Sequence, residues 1–375
     1  MLYMPIIKAF YEANDLGDYE LFLLHGIYSL IIAVLEIPSG YIADVWGRKN
    51  ALVTGMIFGT AGFASYATGE GFIGFLIAEM FLGIGHAMIS GADSALLYDS
   101  LLDVKKEKQY LKYEGRITAY GNFSEAGAAI LGGIIANYLS MRSTYAGQTA
   151  ISAIGMITAL TLINPSSHQA IKKFQFSRLI RIMRYALIEN PQLRANILLS
   201  SVIGLSTLSM AWFTQIYYTN LGLSLSVMGF VWFALNMAPG ITSIFAHKIE
   251  RLLGIKKTIF VIIVFIPAGY LLLSTTLSIF GLFILFIFYL ARGIATPVLK
   301  DYINKITSSD IRATVLSIRS LLIRLTFAIV GPAMGKVSDV YGIQSALLIS
   351  GIFILIFGIT TGLNFIAKQR SIQDE

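Results

Sequence analysis

Roughly a dozen stretches of about 20 mostly uncharged residues follow one another along this chain, each long enough as a helix to cross about 30 Å of hydrocarbon. Basic residues fall almost entirely on alternate connectors between them. The segments bounded by Arg48/Lys49, Lys105–Arg116, Lys172–Arg194, Lys248–Lys257, Lys300–Arg312 and Lys368/Arg370 hold 22 of the 28 cations. The intervening connectors hold two, Arg142 and Lys336. Translocating Lys and Arg is disfavoured, so the alternation predicts both the spans and their orientation. The expected molecule is a multi-pass protein of the cytoplasmic (plasma or inner) membrane, lodged in the lipid bilayer, with its C-terminus cytoplasmic.

Composition agrees, with 56% hydrophobic and 13% charged residues, the latter about half the soluble average. The net charge of +7 is spread over separate short loops and forms no single face, so it marks topology and no nucleic-acid partner is expected. The absence of cysteine excludes disulfides and thiolate metal sites; neither a metal centre nor a cofactor is expected. The apolar start lacks the basic n-region and small-residue cleavage site of a signal peptide.

The expected spans are 1–13, 21–43, 51–68, 72–100, 115–138, 145–163, 195–219, 225–247, 257–277, 280–299, 314–336 and 343–366. Met1–Ala13 reaches only about 20 Å as a helix, so the first helix is either incomplete or re-entrant, and an incomplete helix is favoured. The connector 164–194 divides an N-terminal bundle, 1–163, from a C-terminal bundle, 195–375. Within it, Phe174–Leu187 places Arg178, Arg181 and Arg184 on one face. Such a helix suits either the headgroup plane or a solvated linker.

The two groups of six repeat one another. Leu97-Tyr98-Asp99 matches Leu299-Lys300-Asp301, Arg116 maps to Arg319, and Gly132 maps to Gly335. A shorter repeat lies within the halves: Gly40-xxx-Asp44-xx-Gly47 closes span 2, Gly335-xxx-Asp339-xx-Gly342 closes span 11, and Gly133-xxx-Asn137-xx-Ser140 closes span 5 more weakly. The first is expected on the cytoplasmic side and the other two outside, as inverted three-helix units nested in six-helix halves would give. The expected fold is an all-α polytopic membrane protein. It has twelve transmembrane helices, the first truncated, in two pseudo-symmetric six-helix bundles around a central cavity.

With these features the chain resembles a major facilitator superfamily transporter. The most specific motif is Gly40-Tyr-Ile-Ala-Asp44-Val-Trp-Gly47-Arg48-Lys49, similar to the family's signature between helices 2 and 3. Gly40 would allow close helix approach, Gly47 a tight turn, and Asp44 could accept hydrogen bonds at a helix N-terminus. The resemblance implies a cytoplasmic latch in which Asp44 faces the start of span 11 and Arg48 pairs with Asp99. Two departures stand out. Glu79-Met-Phe-Leu-Gly83 fills the place where drug–proton exchangers often carry an arginine, so no such arginine is carried over. Ala128-Ala129-Ile-Leu-Gly132-Gly133 lacks the proline of the antiporter motif, while Gly331-Pro332-x-x-Gly335 occupies the related place in span 11.

Ionisable groups inside spans are costly and therefore candidates for function. Glu79, His86 and Asp93 recur every seven residues on span 4, with Gly83 and Ser90 between them, and form one helical stripe. The resemblance implies that helices 1, 4, 7 and 10 line the cavity. Matching stripes there are Lys8, Tyr11 and Glu12; Thr207, Trp212 and Gln215; and Tyr289, Arg292 and Thr296. Lys8 and Glu12, four apart, either serve the cavity or neutralise each other. Glu36 with Arg319 or Arg324 forms a candidate bridge that closes the cytoplasmic gate; a fixed structural bridge is the alternative.

The functional expectation is a monomeric secondary transporter of a small-molecule substrate, driven by protons carried on Glu79, His86 or Asp93. Drug-like efflux comes first. Uptake of a polar metabolite, or a non-transporting receptor on the same fold, are the alternatives. No Gly-x-x-x-x-Gly-Lys-Ser loop is present for direct ATP coupling. The four histidines, 25, 86, 168 and 247, are scattered, and no enzyme is expected. Neither charged rings nor a filter loop suggest a channel.

Overall fold

The computed structural model describes residues 1–90, 92–106, 109–165 and 176–373, which are helical almost throughout. Among them, seven helical stretches are long and apolar enough to cross a membrane: Asp18–Glu36, Arg48–Thr68, Gly71–Asp103, Pro191–Asn220, Leu225–Thr275, Gly281–Ile306 and Thr314–Lys368. A helix satisfies its backbone internally, which is what allows these segments to sit in hydrocarbon. The chain divides into two compact units.

The first unit comprises residues 1–16, 24–174 and 224–230. A 3₁₀ turn, Met4–Ile6, leads into α1 (Ile7–Glu12). Then come α2 (Asp18–Trp46), whose first turn belongs to the second unit, α3 (Arg48–Thr68), α4 (Gly71–Ser90), α5 (Asp93–Asp103), α6 (Tyr110–Tyr138) and α7 (Met141–Thr161). One residue, Gly47, separates α2 from α3; its φ of 93° lies where a Cβ is strongly disfavoured, which is the tight turn expected there. The backbones of α3 and α4 approach closely at Gly55, Gly59 and Gly85: a Cβ on Gly85 would lie 2.8 Å from the Gly55 carbonyl oxygen. Small residues four apart permit such crossings.

The single span expected over 72–100 falls within the stretch Gly71–Asp103, in which α4 and α5 are consecutive elements. α4 stops at Ser90, and α5 restarts at Asp93. There the Asp93 carboxylate accepts from the Ser94 backbone N–H at 2.6 Å. A short acidic side chain that bonds its own neighbouring backbone competes with helix continuation. Glu79 and His86 lie on α4, and Asp93 opens α5. Inside the unit, the rings of Phe10, Tyr66, Phe75 and Tyr145 interlock at centroid separations of 4.5–6.5 Å.

The second unit comprises residues 17–23, 175–223 and 231–375. It contains α8 (Phe176–Arg184) with a π turn to Glu189, α9 (Pro191–Asn220), α10 (Leu225–Thr275), α11 (Gly281–Ile306) and α12 (Ser309–Gln373). The Asn190 side chain accepts from the N–H groups of Gln192 and Leu193 at 3.1 and 2.9 Å, with Pro191 at the first helical position. Both devices mark a helix start. α10 and α12 each contain one glycine outside helical geometry, Gly254 (φ 71°) and Gly342 (φ 81°), where the sequence separates spans 8 from 9 and 11 from 12.

Ile182 and Ala186 are buried with Leu193, Ile197, Ile303, Val315 and Ile318, while Arg181 and Arg184 are exposed. Phe174 and the Arg178 side chain lie outside the described residues.

Candidate functional site

Span 4's first acid is turned into the heart of the first unit. Glu79 is 3% exposed and its Oε1 accepts from the Tyr66 hydroxyl at 2.5 Å. The same oxygen lies 3.2 Å from His25 Nδ1. Tyr66 and Tyr11 hydroxyls are 2.6 Å apart, and the Tyr11 ring stacks on the His25 imidazole at 5.9 Å. Four helices, α1 to α4, thus each contribute one polar group to a buried cluster. His25 and Tyr66 are partners that sequence reasoning missed. His25 falls among scattered histidines, and nothing local to span 3 distinguishes Tyr66 from a packing aromatic.

The other residues of the stripe do not join this cluster. His86 is exposed, with Nδ1 3.2 Å from the Tyr28 hydroxyl. Asp93 is exposed beside Ser94, whose hydroxyl donates to Glu114 at 2.9 Å. Lys8 and Glu12 form an ion pair at 3.1 Å, with Lys8 buried and Glu12 half exposed.

At the α2–α3 turn, Arg48 pairs with Asp99 at 3.2 Å, and the Lys49 backbone N–H donates to Asn164 Oδ1 at 3.0 Å. The Asp44 side chain lies outside the described residues. Gly40 makes no close approach: among the described residues, nothing stands within 4 Å of where its Cβ would be. The packing of this stretch is carried instead by Ala43 with Ala51, Met88 and Ala92.

In the second unit, α11 carries both Tyr289 and Arg292, and α9 brings Thr214 to the tyrosine. The guanidinium lies over the Tyr289 ring at 5.6 Å, a cation–π arrangement, and the Tyr289 hydroxyl is 3.5 Å from Thr214 Oγ1. Gln215 and Thr207 are buried on α9, Trp212 is half-buried, and Thr296 is exposed. Arg319 is buried on α12 and Arg324 half-buried; Glu36, in the first unit, is half-buried on α2.

The motif that closes span 11 has a geometry its sequence only hinted at. Both carboxylate oxygens of Asp339 accept from the first turn of α2, taking the N–H groups of Asp18 and Tyr19 at 2.7 and 2.8 Å. Ser338 donates to the Asp18 carboxylate at 2.5 Å. A carboxylate at a helix N-terminus satisfies orphan donors and complements the dipole. Gly335 makes room, since a Cβ there would stand 2.6 Å from the Asp18 carbonyl oxygen. In the first unit, Gly133 similarly faces the opening of α10, with its Cβ position 2.6 Å from the Leu225 carbonyl oxygen.

Apolar helical spans carrying buried, hydrogen-bonded ionic groups define the class as a multi-pass membrane protein. A sequence profile of the Major Facilitator Superfamily matches residues 1–307; the chain belongs to that family. It is 20% identical over 357 residues to the "Uncharacterized MFS-type transporter MJ1560" of Methanocaldococcus jannaschii, covering 95% of this chain and 91% of that one. It is 24% identical over 172 residues to "Multidrug resistance protein Stp" of Mycobacterium tuberculosis, covering 44% of this chain and 32% of that protein. Among solved structures, that of nucleoside transporter NupG superposes with a TM-score of 0.82 at 14% identity, over 97% of this chain and 95% of that one. At such identity the likeness concerns the fold.

Proposed function

We infer that the chain is a secondary transporter moving a small organic solute across the cytoplasmic membrane by alternating access. In this reading twelve spans form two duplicated six-helix halves, 1–163 and 195–375, joined by the connector 164–194, with the C-terminus cytoplasmic. The single observation that carries it is the presence of ionic side chains held by specific partners deep within apolar helices, Glu79 above all. Such groups are expensive in hydrocarbon and a purely structural bundle has no need of them. Protons drive the cycle, with Glu79 the strongest of the candidate carriers because it alone of the stripe is buried.

Drug-like export is the first reading of direction and substrate, in keeping with the name of the mycobacterial relative. Uptake of a polar solute is the second, and Arg292 over Tyr289, whose hydroxyl lies 3.5 Å from Thr214 Oγ1, favours it. Lys8, Tyr11, Glu12, Trp212 and Thr296 complete the solute-facing set. The test is accumulation of a panel of cationic drugs and nucleosides in energised vesicles, with and without a proton gradient. Gradient-dependent movement is expected, and Arg292→Ala should reduce it roughly tenfold or more, as loss of a charged hydrogen bond would. If no solute responds to the gradient, the coupled reading is wrong; if Arg292→Ala matches wild type, the solute does not meet that guanidinium.

Glu36 with Arg319 or Arg324 forms the cytoplasmic gate in this reading. A pair of this kind adds little net stability but can bias a two-state equilibrium by a few kcal/mol. Glu36→Gln is therefore expected to raise the labelling of cysteines introduced at the cytoplasmic end of the cavity. Unchanged labelling would remove the gate.

A further inference from the structure

We propose that the outer face of α8 is a docking surface for anionic phospholipid headgroups. It seats the connector 164–194 on the bilayer surface, whatever solute the chain moves.

The helical period divides this segment into two faces. At 3.6 residues per turn, Ile182 and Ala186 lie together, and both are buried with Ile197, Ile303 and Ile318. Ser177, Ile180, Arg181, Arg184 and Ile188 fall on the opposite stripe, which runs on into the π turn, and all five are exposed. Ile180 and Ile188 are 50% and 64% exposed, although isoleucine is among the residues most often buried. Arg184 is engaged by Glu189, Nε to Oε1 at 2.9 Å. Arg181 adds a second guanidinium, so among the described side chains of this face the cations outnumber the carboxylate.

The level at which α8 packs fits this occupant. Ile197 lies near the start of the apolar stretch Pro191–Asn220, Ile303 near the end of Gly281–Ile306, and Ile318 near the start of Thr314–Lys368. α8 therefore packs beside the ends of three spans, where hydrocarbon gives way to headgroups, and not on a connector beyond them. Isoleucine there enters the acyl boundary, while a guanidinium stays with the phosphates, whose oxygens its fork of N–H donors fits. A solvated linker gains nothing from Ile180 and Ile188, and a face turned to hydrocarbon alone excludes Arg181 and Arg184. The two kinds of side chain on one stripe match the boundary itself. The surplus positive charge selects anionic over zwitterionic lipid.

The chain contains no cysteine, so Ser177→Cys places a single bimane fluorophore on this face. The labelled full chain is reconstituted in vesicles of phosphatidylcholine with an equal part of phosphatidylglycerol. A small fraction of one lipid or the other carries a nitroxide at the top of an acyl chain. Quenching is expected to report about a fivefold preference for phosphatidylglycerol, the contribution of one basic residue near an anionic surface. The preference falls to parity in Arg181→Gln/Arg184→Gln and survives in Arg181→Lys/Arg184→Lys, which keeps the charge. Its loss at high salt with both arginines in place keeps the test sound if the glutamine pair folds poorly. A label quenched by neither lipid shows the face turned to water or to a soluble partner, and overturns the proposal. Equal quenching by both places the face in lipid without headgroup selection, and overturns it too. A preference that the glutamine pair retains assigns the headgroup to other cations and removes this site.

Discussion

Leucine in place of Gly85 is expected to destabilise the first unit by about 3 kcal/mol, the upper end of what over-packing costs. The obstruction is backbone, not a yielding side chain. A Cβ at position 85 would stand 2.8 Å from the Gly55 carbonyl oxygen and 2.9 Å from the Gly59 nitrogen. Relief requires α3 and α4 to separate along their length. Helices in lipid gain little from apolar burial and associate through close packing, so separation forfeits the main attraction between them. The fraction of purified protein that stays monodisperse after graded heating measures the loss. Gly121→Leu is the control, because nothing stands within 4 Å of a Cβ there. Equal melting of the two variants would show that the crossing is not as tight as described.

Tyr66→Ala should cost about 3–5 kcal/mol, the range for emptying a large aromatic site. The ring packs at 5.0 Å from that of Phe75 and 4.9 Å from that of Tyr145, and its hydroxyl bridges Tyr11 and Glu79. Tyr66→Phe keeps the ring and removes only the bridge, for about 1 kcal/mol. The same heating assay separates the two contributions. If Phe proves as damaging as Ala, the hydroxyl network, and not the packing, holds this region together.

Much of the architecture was legible because lipid imposes rules on sequence. Cations such as Arg48 and Lys49 mark connectors, and the motif glycines Gly47 and Gly342 mark turns, each through a conformation few other residues accept. The pairing of Arg48 with Asp99, reached through family resemblance, appears at 3.2 Å. Helix termini were harder. Hydropathy reads span 4 as one stretch and does not mark where α4 gives way to α5, beside the bond from the Ser94 N–H to the Asp93 carboxylate. The candidate site was legible only in part, and for a physical reason. Glu79 announces itself as an acid in an apolar run. Its partners His25, Tyr66 and Tyr11 come from three other helices, and only three-dimensional packing selects them over His86, seven residues along on the same helix. Gly40 fits the motif, and among the described residues nothing stands within 4 Å of its Cβ position.

The acceptor for the first turn of α2 sits on a residue 321 positions further along the chain. During synthesis the Asp18 and Tyr19 amides must therefore wait for this partner until the distant carboxylate has also left the ribosome. The second helix is begun long before it can be finished.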